Sequence, residues 1–179
     1  MRSDTTDLSM VGVRYDNPVI DPVPEHTFYF TAGALSVGIE FRVLNDEIYE
    51  RAYDGDDPDI LAHIEEVKKV MSFDDKGLSF HVCDAVTGTE YLRFDMFEEG
   101  PHYHYLHLDE GYHIAVNYDE WACGPMFDWA IECLRHRLPD MFRHAGQHDL
   151  ADRVTQEDID AIVPKILEAS ASITTTAAS

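Results

Sequence analysis

Cysteine is scarce in this sequence, and the few cysteines present are spaced unlike those of metal-binding or disulfide-rich domains. The 179-residue chain has three, Cys83, Cys123 and Cys133, and no two of them form a C-x-x-C pair. An odd number at this spacing argues against a disulfide framework and against a zinc site built from cysteine. We expect the three thiols to behave as small apolar side chains.

Long apolar runs and basic residues are also scarce. No run approaches the roughly 20 residues that a membrane-spanning helix needs, and residues 1–9 are polar, unlike a signal peptide. The 35 acidic and 13 basic residues give a formal net charge of -22, which repels nucleic-acid phosphates and anionic membranes. We therefore expect a soluble, cytoplasmic protein that binds neither nucleic acid nor membrane.

Several recognised catalytic motifs are missing as well. The sequence has no G-x-S-x-G nucleophile elbow, no phosphate-binding glycine loop, no H-E-x-x-H motif and no dinucleotide-binding fingerprint. An acidic loop at 54–59 resembles the start of an EF-hand calcium loop, but Pro58 and Asp59 occupy its fifth and sixth positions, and the sixth requires glycine. We instead expect Asp57 to cap a helix that begins near Pro58 and extends to Met71.

Hydrophobic alternation and turn residues predict an antiparallel sheet. Apolar and polar residues alternate over 35–44, and four more strand-like segments follow residue 77 with glycine-containing turns between them. Connections this short join antiparallel strands. In the C-terminal third, apolar residues recur at helical spacing instead. The order ββ-α-ββββ-αα predicts an α+β fold, in which a single antiparallel sheet of about six strands carries helices on one face. We assign residues 1–168 to one domain and 169–179 to a disordered tail.

Strand alternation assigns the side chains to two faces of the predicted sheet. One face is aliphatic and rich in phenylalanine, as expected of a face that helices cover. The other, which we call the polar face, combines tyrosine, histidine, arginine and aspartate and contains no lysine. Its predicted members include Glu40, Arg42, His81, Tyr91, Arg93, Asp95, Tyr103, Tyr105, His107 and His113. Such side chains suit a small-molecule pocket or an interface, so we expect the functional site on this face.

The histidine cluster from His102 to His113 supplies the candidate chemistry. His102 and His104 have the His-x-His spacing found in strand-borne metal sites, but the alternation puts both on the same side as Leu106, which is the core side. His107 faces the polar side, as does His113, and a tight turn between them would bring the two together. A single site that uses all four histidines would require a bulge in the strand.

These positions predict two alternative reactive centres. His107, His113 and Asp95 are candidate catalytic residues, because imidazole titrates near neutral pH and is suited to acid-base chemistry. His102 and His104 are the candidate metal ligands of an alternative site. If a cofactor is present, imidazole and carboxylate ligands favour a divalent transition metal.

The arginines and tyrosines of the polar face are candidate substrate-binding residues. Arg42 and Arg93 would orient an anionic group of a substrate by bidentate hydrogen bonds. Three tyrosines would line the same pocket. They are Tyr91, Tyr103 and Tyr105.

Two classes of function therefore remain open, and the sequence does not decide whether the protein is an enzyme. The first is a small enzyme that acts on a small, anionic molecule by acid-base or metal-assisted chemistry. The alternative is a non-catalytic acidic protein, of the inhibitor or immunity type, whose charge steers it to a basic partner protein. A homodimer that buries the tyrosine-rich face against its own copy is a third interpretation of that face.

Overall fold

The computed structural model describes residues 11–16, 19–45, 48 and 75–177. The acidic loop and the helix predicted over 54–71 lie outside these described residues. The candidate site residues all lie within them, so their positions can be compared with the prediction.

Seven antiparallel strands form one sheet in the described part of the chain. They are β1 (Val13–Tyr15), β2 (Phe28–Ala32), β3 (Leu35–Leu44), β4 (Asp75–Asp84), β5 (Glu90–Phe97), β6 (His102–His107) and β7 (Tyr112–Asn117). Their order across the sheet is β1-β7-β6-β5-β4-β3-β2. Strands β2 to β7 thus form a meander, and β1 pairs with β7 at the far edge. The predicted α+β fold with a single antiparallel sheet is confirmed, with seven strands instead of about six.

Five helices follow β7 within the described residues. They are α1 (Glu120–Cys123), α2 (Met126–His136), α3 (Leu138–His144), α4 (His148–Arg153) and α5 (Gln156–Ala177). Helix α5 packs on β2 and β3, and α2 packs on α5 and β5. Apolar side chains of strands and helices meet there in one core. Its fully buried members include Leu35, Phe80, Leu92, Phe94, Leu138, Phe142 and Ile166. None of the described helices is long and apolar enough to cross a membrane.

Helix α5 begins with a reciprocal capping arrangement and extends further than predicted. Thr155 Oγ1 accepts a hydrogen bond from the Asp158 N–H at 3.2 Å, and the Asp158 carboxylate accepts one from the Thr155 N–H at 3.0 Å. The helix then continues through residues 169–177, which were predicted as part of a disordered tail. That prediction is wrong, because Ser170 is buried and Ile173 packs against the core.

The turn between β2 and β3 shows how the sheet and helix α5 fit together. Gly33 in this turn has φ +52, in the left-handed region that favours glycine. A Cβ at this position would collide with the carboxylate of Asp158. The turn therefore needs glycine both for its backbone conformation and for the close approach of the helix.

Candidate functional site

A segment between β1 and β2, residues 19–26, crosses the polar face of the sheet; we call it the strap. Strands β1 and β2 are consecutive in the chain but lie at opposite edges, so the chain between them must pass over the sheet. The backbone carbonyl of Ile20 accepts hydrogen bonds from Arg42 and Arg93, which project from the polar face. The strap therefore covers part of the face on which we expected the site.

His102 and His104 lie on the polar face, not on the core side. In the register of β5 and β6, His102 pairs with Asp95 and His104 pairs with Arg93, and directly paired residues share a face. The prediction that both histidines lie on the core side is therefore wrong. It relied on Leu106, an apolar side chain that is fully buried but lies on the polar face with the two histidines.

The three tyrosines predicted to line the polar face lie against the helix-covered core instead. Tyr103 pairs with Phe94 and Tyr105 pairs with Leu92, both core residues. Tyr91 lies beside an irregularity in the pairing of β4 with β5, and its side chain also packs against the core. Burial raises the pKa of Tyr103 and of Tyr105. The predicted face is thus wrong for all three tyrosines.

His107 and His113 do not form the predicted pair. His107 pairs across the hairpin with Tyr112, the residue before His113, so the two histidines point to opposite faces. The His107 ring stacks on Tyr112 with 4.4 Å between centroids, and burial lowers its pKa. His113 lies on the polar face with its ring centroid 5.0 Å from that of His104. Of the predicted acid-base residues, only His113 and Asp95 share a face.

Asp95, His102 and His104 come together near one end of the polar face. The Nε2 atoms of His102 and His104 lie 3.5 and 3.2 Å from the same carboxylate oxygen, Oδ2 of Asp95. One potential ligand atom from each residue lies within 4.8 Å of the other two. We call these residues the Asp–His–His cluster. The His102 side chain is 24% exposed, so the cluster borders solvent there, while the other two are buried.

The orientation of His102 is set by a backbone carbonyl. Its Nδ1 lies 2.7 Å from the carbonyl oxygen of Gly100, and a carbonyl only accepts hydrogen bonds, so Nδ1 carries a proton. In a neutral ring, Nε2 is then an acceptor that faces the acceptor Oδ2 of Asp95. Two acceptors at this separation require a cation between them or a second proton on the ring. Histidines that bind metals are commonly oriented by such a hydrogen bond from the other ring nitrogen.

Different contacts set the protonation states of Asp95 and His104. Asp95 Oδ1 accepts a hydrogen bond from the Ser79 hydroxyl. Burial opposes the charge of Asp95, but the hydrogen bond from His104 and the charge of His102 outweigh it and hold the pKa well below its usual range. Burial lowers the pKa of His104 to about 3. His104 Nδ1 has no hydrogen-bond partner among the described residues. The cluster therefore offers one carboxylate and a neutral imidazole whose Nε2 faces that carboxylate.

A second group of charged side chains lies beside this cluster; we call it the ion-pair network. His81 Nδ1 lies 2.8 Å from Glu90 Oε1, and its Nε2 lies 3.2 Å from Glu40 Oε2. Glu90 also accepts two 2.8 Å hydrogen bonds from Arg93. Arg42 Nε lies 3.6 Å from Glu40 Oε2. All five side chains are buried, so their contacts with one another take the place of hydration by water.

The charge state of the network follows from these contacts. Burial opposes the charge of His81, but its hydrogen bonds with Glu40 and Glu90 outweigh burial and raise the pKa. Burial also opposes the charge of Glu90, whereas the charge and hydrogen bonds of Arg93 lower its pKa to about 2. His81 is thus an imidazolium between two carboxylates. Its side chain is fully buried and both ring nitrogens face carboxylates, which leaves no ring nitrogen for acid-base chemistry with a substrate.

Sequence reasoning missed this network. It placed His81, Glu40, Arg42 and Arg93 on one face, but it had no means of finding that they contact one another. Glu90 was not assigned to that face, because the irregular pairing near Cys83 shifts the alternation of β5 at its first residue. The available signal was the density of opposite charges on a single predicted face.

Comparison with protein families gives a match for most of the chain. Residues 29–170 match the model of a family described as a domain of unknown function, DUF7700. The chain belongs to this family. The Asp–His–His cluster and the ion-pair network both lie within the DUF7700 match, and the strap precedes it. Searches of curated proteins and of solved structures found no match.

Proposed function

We propose that the protein binds one divalent transition metal at the Asp–His–His cluster and uses it for metal-assisted chemistry on a small, anionic molecule. The observation that carries the proposal is the orientation of His102, whose Nε2 faces Asp95 Oδ2 while its Nδ1 is held by Gly100. A metal ion removes the repulsion between these two acceptors. Imidazole nitrogen and carboxylate oxygen together suit zinc, iron and related ions.

The distances within the cluster support this proposal. Zinc and similar ions bind nitrogen and oxygen at about 2.0–2.2 Å, so neighbouring ligand atoms are about 3.0 Å apart in an octahedron and about 3.4 Å apart in a tetrahedron. The separations of 3.2 and 3.5 Å from Asp95 Oδ2 to the two Nε2 atoms fall close to this range.

The number of ligands favours a reactive site over a structural one. Structural zinc sites are usually closed by four protein ligands, whereas catalytic sites have three and leave a position for water or substrate. Here Asp95 supplies the negative charge, and His102 and His104 supply neutral nitrogen. A metal with an open position acts as a Lewis acid and lowers the pKa of bound water. Ser79 and the Gly100 carbonyl hold the ligands in place.

Metal titration of chelator-treated protein tests the proposal. We expect about one zinc or ferrous ion per chain, and a loss of affinity above about 100-fold in Asp95→Asn and in His102→Gln, because each variant removes a ligand rather than a supporting group. His136→Gln is a matched control, since His136 is an exposed histidine on α2. Unchanged metal affinity in both cluster variants would contradict the proposal.

A basic partner protein is the second candidate, and the charge of the helices favours it. The exposed acidic residues of α2 and α5 include Asp128, Glu132, Glu157, Asp160 and Glu168. Such a surface speeds association with a basic protein in a salt-dependent way. Capture of basic proteins at low salt, reversed at high salt, would support this function. A metal-dependent activity without such a partner would favour the first.

The cysteines support the proposed cytoplasmic location. Cys83, Cys123 and Cys133 are all free thiols, and Cys83 and Cys133 are buried. Proteins of oxidising compartments commonly pair their cysteines in disulfides. Thiol titration of protein isolated under non-reducing conditions should therefore give three reactive groups after unfolding.

A further inference from the structure

Two buried guanidinium groups converge on one neutral oxygen atom of the polar face. Arg93 Nη1 donates to the carbonyl oxygen of Ile20 at 2.8 Å, and Arg42 Nη2 donates to the same oxygen at 3.1 Å. The side chains of Arg93 and Arg42 are only 2% and 5% exposed. Because Ile20 belongs to the strap, a backbone segment supplies the oxygen on which both cations converge.

Besides their contacts with carboxylates, both arginines donate to the strap, where Arg42 Nη2 also lies 3.5 Å from the carbonyl oxygen of Asp21. Arg93 uses Nε and Nη2 on Glu90, which leaves Nη1 for another acceptor. Arg42 approaches Glu40 through Nε at 3.6 Å, which is beyond hydrogen-bonding distance. A guanidinium binds an anionic oxygen more strongly than a neutral carbonyl oxygen, and its planar shape matches a carboxylate. The position held by the Ile20 oxygen is therefore better suited to an anion.

This position lies next to the Asp–His–His cluster. Arg93 pairs across the strands with His104, and it lies two residues before Asp95 on the same face of β5. Directly paired side chains begin about 5 Å apart, and residues two apart on a strand are separated by about 6.6 Å. A molecule with a few carbon atoms is long enough to reach from the arginines to a metal held by the cluster.

Metal binding would change the charge balance of the polar face. When His102 and His104 are neutral, as metal ligands are, three carboxylates face three cationic side chains. They are Glu40, Glu90 and Asp95, and Arg42, Arg93 and His81. A divalent metal bound to neutral histidines adds an excess of about two positive charges to this buried region, which is costly unless an anion balances it. A ligand with one or two carboxylates would supply that balance.

We infer that the Arg42 and Arg93 pair is the anion subsite of the metal centre, and that the Ile20 carbonyl occupies it in place of a substrate carboxylate. The inference rests on the proposed function and names its substrate class, which is small carboxylic acids with a second oxygen for the metal. When such a substrate binds, its carboxylate displaces the Ile20 oxygen and the strap moves away. The strap is therefore an autoinhibitory contact as well as a cover.

The experiment uses the full chain loaded with zinc, with succinate as the probe and butane-1,4-diol as its uncharged counterpart. Binding is measured by calorimetry, and the strap is followed by hydrogen exchange of peptides that cover residues 19–26. The backbone N–H of Val23 donates to Glu40 at 3.3 Å, so it reports on strap opening. We expect succinate to bind and to speed exchange in the strap at least about tenfold, because opening exposes its amides. The diol should do neither.

Variants separate the subsite from the metal site. Arg42→Gln should retain one zinc per chain but bind succinate at least about tenfold more weakly, because a charge-assisted hydrogen bond is lost. Arg135→Gln is the matched control, since Arg135 lies on α2 away from the polar face, and it should bind succinate like the parent. If Arg42→Gln does not fold, the exchange data on the parent protein decide the question.

The outcomes distinguish this inference from the proposed function. Zinc binding with no succinate binding would overturn the inference alone, as would succinate saturation without faster exchange in the strap. Equal succinate affinity in folded Arg42→Gln would do the same. Failure of the chain to bind any metal, measured before succinate is added, would overturn the proposed function and the inference with it.

Discussion

Replacing His81 with glutamine removes the centre of the ion-pair network and should strongly destabilise the protein. The His81 side chain is 0% exposed, and each of its ring nitrogens faces a carboxylate, one from Glu40 and one from Glu90. Glutamine supplies an N–H to one carboxylate only and turns its oxygen toward the other. Breaking a buried ion pair costs about 3–5 kcal/mol. For a chain of this size we expect a fall in Tm of roughly 6–20 °C.

The loss of stability caused by His81→Gln should become smaller as the pH rises. The pKa of His81 is raised in the folded state above its ordinary value of 6.5, so the folded protein holds this proton more firmly than the unfolded chain. The stabilisation is fully present below about pH 6.5, and it is lost as the pH rises through the folded-state pKa, at up to about 1.4 kcal/mol per pH unit. The difference in stability between parent and His81→Gln should therefore shrink at high pH.

Urea denaturation between pH 6 and pH 9 measures both effects. The difference in the free energy of unfolding between parent and His81→Gln cancels the contribution of other titrating groups. His136→Gln, at an exposed position, controls for the loss of a histidine and should differ little from the parent at any pH. A difference below about 1 kcal/mol at pH 6, or one that stays constant to pH 9, would refute the assignment of His81 as a buried imidazolium.

Three further substitutions test other parts of the structure. Ser79→Ala removes the hydrogen bond that orients Asp95 and should weaken zinc binding by about 10- to 100-fold in a competition titration, while the fold measured by circular dichroism stays intact. Gly33→Ala should lower the free energy of unfolding by about 1–3 kcal/mol, because it strains a positive φ and pushes a Cβ toward Asp158; an unchanged urea midpoint would contradict this. Leu92→Ala should cost about 2–5 kcal/mol in the same assay, since Leu92 is fully buried in the core, and a loss below 1 kcal/mol would mean that the cavity collapses.

The fold was largely predictable because short, glycine-containing turns join β2 to β3 and each strand from β4 to β7 to the next. Alternating residues in these strands and turns too short for a crossover predicted antiparallel pairing. The capping arrangement of Thr155 and Asp158 was predictable because both partners lie within one helical turn. The position of β1 was not, because its pairing with β7 depends on contacts between distant parts of the chain.

The three residues of the Asp–His–His cluster were all among the predicted site residues, but the structure groups them differently from the prediction. In β6, histidine and tyrosine alternate, and both residue types occur on buried and exposed faces, so Leu106 alone fixed the expected register. A single leucine on the polar face was enough to assign His102 and His104 to the wrong side. Asp95, which brings the two histidines together, was grouped with His107 and His113 for the same reason. The pairing between strands, and not the composition of each strand, determines which side chains come together in such a cluster.

The placement of β1 and the strap has a consequence for the order of folding. Val13 pairs with Ala115, about 100 positions along the chain, whereas all three residues of the Asp–His–His cluster lie in the β5–β6 hairpin. Closing a long loop is entropically costly, so local hairpins form before the first and last strands of the sheet meet. We expect the hairpin to assemble its metal ligands while the polar face is still hydrated. A metal ion at the proposed site would then be able to enter before β1 docks and the strap closes over the polar face.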